Sequence, residues 1–277
     1  MDFTNKTIWI TGASSGIGAE LAVQLSGFAK RLILSGRDEE KLKVVRQRCQ
    51  TPCEQVVFAF DLEGLTPSSG DFEVLWEEID GVDILINSGG ISQRSKAMDC
   101  IEEVDRRLME VNYFGTVSLT KWVVNKWLQQ PPALLERRPR GEVVTLASVS
   151  GKIGAPMRSG YCASKHAIIG YMDCLRPELA GAGINIHVVS PGWVRTAIAE
   201  NALAGDARCY NRKDRDTEGG IAVEKFVVQM IGQLKKGRKD IVIAEGRARL
   251  GYHLRRLFPE TFHTLLNRIY RHQDDEH

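Results

Sequence analysis

The sequence alternates short, continuous apolar runs with stretches of helical apolar spacing, and this pattern limits the fold more than any other feature. Because continuous runs suit strands buried on both faces and the helical stretches suit right-handed crossovers, the order predicts parallel βαβ units. The predicted strands are residues 7–11, 31–35, 56–60, 83–86, 142–146 and 184–189, with 241–244 as a candidate edge strand. We therefore predict an α/β fold: a single-domain, Rossmann-like, doubly wound parallel sheet flanked by helices.

Length alone allows one large α/β domain or two small ones, and the absence of a dividing linker favours one domain over the whole chain. The 277 residues are 43% hydrophobic and 26% charged, so they can bury a large core, and no repeat or Gly/Ser linker divides them. We expect a core at about residues 5–245 and a C-terminal helical extension at about 250–272. The polar stretch 197–220 follows a strand and predicts a lid over the ligand, with an ordinary surface loop as the alternative.

Charge and cysteine usage exclude several classes of function. A net charge of +2, with Lys and Arg scattered among acids, predicts a small-molecule ligand and no nucleic-acid partner. The six cysteines lack CxxC spacing and the six histidines lack ligand spacing, so we expect neither a disulfide framework nor a metal. The N-terminus has no signal-peptide pattern, and no apolar stretch reaches about 18 residues, which predicts a cytoplasmic protein.

A glycine-rich turn, TGASSGIG at residues 11–18, joins the first predicted strand to the first helix. Glycines there permit a tight turn and close backbone approach, while free N–H groups and the helix dipole attract a phosphate. A purely structural turn is the alternative. The residues predicted to bind a dinucleotide here are Gly12, Ser14, Ser15, Gly16, Ile17 and Gly18.

The end of the second strand bears on the choice of cofactor. Ser35 and Gly36 stand where an acidic residue would accept ribose hydroxyls, and Arg37 follows. An uncharged site beside a guanidinium suits a 2′-phosphate, so NADP(H) is favoured and NAD(H) stays possible. Asp38 argues the other way, Ser15 adds no cation, and an Arg37 that is merely exposed is the alternative. Further cofactor contacts are predicted at Asp61, Leu62, Asn87 and Gly89.

Tyr161 and Lys165 in YCASK lie four residues apart and would share one face of a helix. A cation about 4 Å away, at an effective dielectric of about 20, supplies the roughly 4 kcal/mol that would bring the phenol pKa from about 10 to about 7. Tyr161 could then give a proton to a carbonyl oxygen or take one from an alcohol. Ser148 follows a buried strand, so its hydroxyl is expected to hydrogen-bond the same oxygen.

Taken together, these motifs resemble the short-chain dehydrogenase/reductase family, in its shorter-subunit branch, over about residues 7–243. The resemblance rests on TGASSGIG, NSGG at 87–90, VNYFG, ASVSG, YCASK and PGWVRT at 191–196. Within the family, NSGGISQRS and YCASKHA look most similar to carbonyl, steroid and retinoid reductases. Two departures, Ala147 and Ser88, lie outside the proton chemistry.

The resemblance implies four catalytic residues, Asn112, Ser148, Tyr161 and Lys165. Asn112 would belong to a water-mediated proton path behind the lysine, and a polar residue that only bonds to backbone is the alternative. The segment 191–196 would close over the nicotinamide, and Tyr161 and Lys165 would also contact the cofactor. Its implied contacts are Pro191, Gly192, Val194 and Thr196. A homodimer or homotetramer is also implied.

The substrate is predicted only by class. Segments 92–98 and 154–158 hold apolar residues near the site, which favours a small hydrophobic carbonyl or alcohol. Predicted substrate contacts are Met98, Ser148, Pro156, Tyr161 and Trp193. Residues 252–272 place apolar side chains at near-helical spacing, interrupted at Pro259, beside four arginines. We favour docking on the chain's own domain or a partner over contact with an anionic membrane.

The function that these expectations favour is an NADP(H)-dependent oxidoreductase, acting on a CH–OH group, with Tyr161 as general acid and base. The alternatives are an NAD(H)-dependent secondary-alcohol dehydrogenase and a nucleotide-sensing protein without turnover. A sensor needs the glycine turn but not Ser148, Tyr161 and Lys165 together. An epimerase or dehydratase would more often carry a longer substrate domain. The Pro- and Arg-containing stretch 129–140 is predicted to be a solvated loop.

Overall fold

The computed structural model describes residues 1–67, 70–130, 139–212 and 215–274. Its parallel sheet has the order β3-β2-β1-β4-β5-β6-β7 within these residues. The strands are β1 Thr7–Thr11, β2 Arg31–Ser35, β3 Glu54–Val57, β4 Ile84–Asn87, β5 Gly141–Leu146, β6 Ile184–Pro191 and β7 Asp240–Ile243. The predicted doubly wound parallel sheet is confirmed, and the chain reverses its direction of strand addition between β1 and β4. Most of the predicted 129–140 loop lies outside the described residues.

Two strands, β3 and β6, differ by two or more residues from their predicted bounds, for reasons of hydrogen bonding. β3 begins and ends earlier than the predicted 56–60, yet the N–H groups of Phe58 and Phe60 still donate to Leu34 and Gly36, at 3.0 and 3.1 Å. Residues 58–60 therefore stay hydrogen-bonded to the end of β2 although the regular strand β3 ends at Val57. β6 runs on to Pro191 because the edge strand β7 pairs with its end.

Helices cover both faces of the sheet and bury its alternating side chains. They are α1 Gly16–Leu25, α2 Glu39–Arg48, α3 Gly70–Glu78, α4 Glu102–Met109, α5 Thr116–Gln129, α6 Ser159–Ala180, α7 Arg215–Glu218, α8 Val223–Lys235, α9 Gly246–Leu257 and α10 Pro259–Asp274. Along β1, Ile8 and Ile10 pack in the core with α1 and α8, whereas Trp9 faces the core with α5 and α6. Because the side-chain period of a strand is two, one buried strand supplies both cores.

The C-terminal extension consists of α9 and α10, separated by Phe258. Pro259 opens α10, where a missing N–H costs nothing because the first helical N–H groups have no intrahelical partner. Ala248 and Phe262 are the buried apolar residues of the pair among the described side chains. No helix in the described part of the chain is both long and apolar enough to cross a membrane.

Candidate active site

The glycine turn between β1 and α1 has the backbone that only glycine adopts readily. Gly12 and Gly16 have φ of +64° and +55°. A Cβ on Gly12 would lie 2.7 Å from the Gly89 Cα, and one on Gly18 would lie 2.2 Å from the Gly12 carbonyl oxygen. The turn is therefore packed directly against the segment after β4. Ser15, which precedes α1, makes no side-chain cap within the described residues, so the first N–H groups of the helix can meet an anion.

A cavity of about 670 Å³ runs along the carboxyl ends of the strands, from the end of β2 to the end of β6. It brings together most of the residues predicted to bind the cofactor, and its glycine cradle and helix N-terminus fit the pyrophosphate of a dinucleotide. The predicted residues that line it are Gly12, Ser14, Ser15, Gly16, Ile17, Gly18, Arg37, Asp61, Leu62, Gly89, Ser148, Tyr161, Lys165, Pro191, Gly192, Val194 and Thr196.

The side chain of Asn87 is turned away from the cavity. Its side chain is buried and its Nδ2 donates to the Thr120 and Thr145 hydroxyls, at 2.9 and 3.3 Å, and it does not line the described cavity. The Asn87 side chain therefore does not face the cavity, and a cofactor contact through the Asn87 backbone stays a prediction. The physical reason is that Asn87 ends β4 facing α5, while Ser88 and Gly89, one residue on, reach the cavity.

The end of the cavity beyond β2 carries two cations. Arg37 lines it with its side chain 56% exposed and its Nε 4.0 Å from Asp61 Oδ2. Lys41, which the sequence reasoning missed, also lines it and pairs with Asp38 at 2.9 Å. Asp38 caps α2 by accepting from the Lys41 N–H at 3.0 Å, and the side-chain and backbone hydrogen bonds from Lys41 lower the Asp38 pKa. The sequence did contain a signal for Lys41: it lies four residues after Arg37, in the first turn of α2, a spacing that brings two side chains to the same side.

Ser148, Tyr161 and Lys165 meet where β5 and α6 approach the cavity. Ser148 Oγ accepts from the Ser150 N–H at 3.0 Å and so begins a short 3-10 turn, Val149–Gly151. Tyr161 and Lys165 are buried side chains of α6, and Lys165 Nζ donates to the Leu146 carbonyl at 3.1 Å. Burial lowers the pKa of Lys165 to about 8.

The phenol of Tyr161 is not tuned as the sequence predicts. Burial raises its pKa, and the hydrogen bond with Ser148 and the charge of Arg158 only partly oppose that effect. The Lys165 Nζ lies 5.8 Å from the centre of the ring and donates to the Leu146 carbonyl. For the polypeptide alone, the expected lowering of the phenol pKa is wrong, because desolvation outweighs the nearby charges.

Asn112 lies in a π-helical turn, Glu110–Gly115, between α4 and α5. Its Oδ1 accepts from the Ile91 N–H at 2.8 Å, and its Nδ2 donates to the Ile91 carbonyl and to Ser164 Oγ, both at 2.9 Å. The amide is buried and adjoins the lysine: a Cβ on Gly90 would lie 2.9 Å from Asn112 Oδ1 and 3.4 Å from Lys165 Nζ. The Asn112 amide therefore bonds to the Ile91 backbone, as the alternative to a proton-path role expected. It also lies next to Lys165, where the proton path was predicted.

A second cavity, of about 330 Å³, adjoins the first at Ser148 and Tyr161. Pro156 and Trp193 line it as predicted, but Met98 is 93% exposed in a surface 3-10 turn and lines neither cavity. The Met98 prediction is wrong. The C-terminal helices supply a wall that was not predicted, with Leu254, Phe262, Leu265, Leu266, Ile269 and Tyr270. Their apolar spacing was visible in the sequence, but the surface that they cover was not.

Comparisons with known proteins agree with this geometry. Residues 6–207 match the family described as short chain dehydrogenase. The chain is 36% identical to the Bos taurus "Dehydrogenase/reductase SDR family member 7B", over 95% of this chain and 80% of that protein.

Two solved structures share the fold at low identity. A short chain dehydrogenase from Burkholderia cenocepacia in complex with NADP is 20% identical, with a TM-score of 0.75 over 96% of this chain and 99% of that one. A short chain dehydrogenase/reductase from Burkholderia phymatum in complex with NAD is also 20% identical, with a TM-score of 0.73 over 94% and 96%. Family match, relative and fold agree, and the chain belongs to the short-chain dehydrogenase family of oxidoreductases.

Proposed function

We propose that the chain is an NADP(H)-dependent oxidoreductase that interconverts a hydrophobic carbonyl compound and its alcohol. The single observation that carries the proposal is the junction of the two cavities at Ser148 and Tyr161. A carbonyl carbon at that junction has the dinucleotide cleft on one side, an apolar cavity on the other, and two hydroxyls beside its oxygen. A nucleotide sensor without turnover has no need for this arrangement.

The preference for NADP(H) is argued from charge. Arg37 and Lys41 both line the end of the cleft where the adenosine ribose would lie, and a 2′-phosphate there would meet two cations. Two acids, Asp38 and Asp61, line the same cavity. Asp38 caps α2 by accepting from the Lys41 N–H, and its carboxylate also pairs with the Lys41 ammonium. NAD(H) is the alternative cofactor. Of the two solved structures with this fold, the one from Burkholderia cenocepacia is a complex with NADP and the one from Burkholderia phymatum is a complex with NAD.

The roles of the side chains follow from where their polar atoms lie. The nicotinamide, when bound, supplies or accepts the hydride. Tyr161 gives the carbonyl oxygen its proton in reduction and takes it back in oxidation, and Ser148 donates a hydrogen bond to that oxygen. Lys165, held at Leu146, favours the phenolate by its charge, and Asn112 donates to Ser164, the residue before the lysine. Pro191, Gly192, Val194 and Thr196 hold the nicotinamide end of the cleft.

The apolar cavity defines the substrate class. Its walls come from residues 153–157, Trp193 and the C-terminal helices, and most of these side chains are aliphatic or aromatic. A cavity of about 330 Å³ suits a ring system or a medium-length chain beside the carbonyl, not a polar sugar. Dimer or tetramer formation and a cytoplasmic location stay predictions from the sequence.

The deciding experiment follows the loss of the reduced-nicotinamide absorbance with purified protein and a panel of ketones, quinones, steroids and retinals. Each compound is tested with NADPH and with NADH. We expect turnover of bulky apolar carbonyls, with a higher kcat/KM for NADPH. Tight binding of either cofactor without turnover of any carbonyl or alcohol would instead support the sensor.

A further inference from the structure

The first turn of α6, which carries Tyr161, is held by a side chain from a distant segment. Gln93 Oε1 accepts from the Gly160 N–H at 2.8 Å and from the Tyr161 N–H at 3.3 Å, across sequence separations of 67 and 68 residues. These are two of the helical N–H groups that have no partner within the helix. Arg158, the residue before the helix, makes no side-chain cap in the described structure, so Gln93 takes the place of a local cap.

The Gln93 amide uses its full hydrogen-bonding capacity. Besides accepting two backbone bonds, its Nε2 donates to Ser95 Oγ and to Cys100 Sγ, both at 3.0 Å, and the side chain is fully buried. A carboxamide has two donor hydrogens and one acceptor oxygen with two lone pairs, so every position is filled. Because two N–H donors must face an oxygen, the orientation of the amide is also determined.

Backbone bonds fix Gln93 from both sides. The Leu203 N–H donates to the Ser92 carbonyl and the Arg94 N–H donates to the Leu203 carbonyl, each at 2.8 Å, while the Ser95 N–H donates to the Met157 carbonyl at 3.0 Å. The segment therefore pairs with chain on two sides, and one of those contacts adjoins the start of α6. Gln93 is anchored before it reaches the helix.

The same helical turn also packs against α4. A Cβ on Gly160 would lie 2.2 Å from Asp105 Oδ1 and 2.9 Å from Leu108 Cδ1, so the helices touch at a glycine. One turn further along α6, Asn112 links Ile91 to Ser164. Gln93 directly and Ile91 through Asn112 are thus attached to the first two turns of α6, and Tyr161 belongs to the first of these turns.

We propose that Gln93 is a positioning residue of the active site, which sets the place of the Tyr161 phenol by binding the N–H groups at the start of α6. This inference rests on the proposed function, since it takes Tyr161 to be the proton donor. Gln93 lines neither cavity, so it does not contact substrate or cofactor itself.

The test compares Gln93→Met, which keeps the side-chain length but removes all four hydrogen bonds, with Gln93→Glu, which keeps an acceptor oxygen for the two helical N–H groups. For Gln93→Met we expect kcat to fall by about 10- to 100-fold with NADPH Kd, followed by tryptophan fluorescence, unchanged within about twofold. Gln93→Glu should recover most of the lost kcat. Gln24→Met, on α1 and remote from both cavities, is the matched control and should behave as the wild type.

Amide hydrogen exchange gives a readout that does not depend on turnover. In Gln93→Met, exchange should be faster in peptides spanning residues 158–165 and unchanged in peptides from α5. If exchange becomes faster only in residues 158–165 but the wild-type protein turns over no substrate, the hydrogen bonds from Gln93 to α6 are supported and the proposed oxidoreductase activity is not. Uniformly faster exchange, or a kcat and cofactor affinity that fall together, would overturn the positioning role.

A milder variant covers the case in which Gln93→Met does not fold. Gln93→Asn keeps the amide but is one methylene shorter, so its oxygen cannot reach both N–H groups at hydrogen-bonding distance. Its kcat should fall between the Met variant's expected value and the wild type's, with the same selective exchange in residues 158–165. Wild-type kcat and exchange in either variant would refute the proposal.

Discussion

Lys165 Nζ lies 5.8 Å from the centre of the Tyr161 ring and donates to the Leu146 carbonyl at 3.1 Å. The ammonium is thus buried beside a backbone carbonyl and an aromatic ring, and burial lowers the pKa of Lys165 to about 8. In the unfolded chain the same group titrates near 10.4, so folding makes its charged form less stable. The positive charge that the proposed chemistry needs therefore opposes folding near neutral pH.

Lys165→Met should raise stability while abolishing turnover. The unfolded chain binds the extra proton between about pH 8 and about pH 10.4, so the penalty is fully present below pH 8 and disappears above the higher value. Near neutral pH we expect the free energy of unfolding to rise by about 1–3 kcal/mol, after the loss of the Leu146 hydrogen bond is subtracted. Denaturant unfolding at a series of pH values measures it.

The control for this prediction is Lys43→Met, which removes an exposed lysine on α2 paired with Glu39 and Glu40. Its effect on the free energy of unfolding should stay within about 0.5 kcal/mol and should not change between about pH 8 and about pH 10.4. A Lys165→Met protein that is less stable than the wild type throughout that pH range would contradict the argument.

Tyr161→Phe should separate cofactor binding from proton transfer. The ring and its buried contacts remain, while the hydroxyl beside Ser148 is removed, so NADPH affinity should hardly change. We expect kcat to fall by at least about 100-fold, because a positioned general acid contributes on that scale. Single-turnover oxidation of bound NADPH is the measurement, and near-normal turnover would remove Tyr161 from the proton step.

Much of the fold was predictable because it depends on local pattern. Strands buried on both faces have continuous apolar runs in the sequence. The turn after β1 needs positive φ at two positions, and glycine at both, Gly12 and Gly16, indicates this from the sequence alone. Met98 and Asn87 show where this reasoning stops. Proximity to a motif in sequence does not determine which way a side chain faces, and one residue along a strand end separates Asn87 from the cavity.

The remaining parts of the site depend on contacts between distant segments. The side chains of α9 and α10 that wall the second cavity are about a hundred residues from Tyr161, and Gln93 reaches α6 across 67 residues. No spacing rule connects such positions, because the crossovers of the sheet decide which loops meet. The phenol pKa was missed for a related reason, since desolvation is a property of the packed structure.

Replacing Lys41 by Met tests the second cation of the cleft. Lys41 lines the cavity where the 2′-phosphate would lie, whereas Lys43, two residues on, does not. We expect Lys41→Met to weaken NADPH binding about five- to tenfold with little change for NADH, because a charge-assisted phosphate contact is lost. Lys43→Met serves as the matched control. Equal losses for the two cofactors in Lys41→Met would argue against a phosphate at this position.

Arg37→Glu should have a larger effect in the same direction. A carboxylate beside the cleft would repel a 2′-phosphate and could accept ribose hydroxyls, so the ratio of NADPH to NADH affinity should fall by more than about tenfold. Titration of each cofactor by tryptophan fluorescence gives both constants. An affinity ratio that stays at the wild-type value would show that Arg37, although it lines the cavity, is only an exposed side chain.

The C-terminal helices offer a test of the substrate cavity with a control on the same helix. Leu254 lines the cavity, while Leu257 lies on α9 outside it and is 66% exposed. Leu254→Trp should fill the cavity and lower kcat/KM for bulky ketones by about tenfold or more, while small ketones are less affected. Leu257→Trp and Met98→Ala should leave both substrate classes unchanged. If Leu254→Trp lowered kcat/KM equally for small and bulky ketones, the substrate would not extend between α9 and α10, and specificity would have to come from residues 153–157 and Trp193 instead.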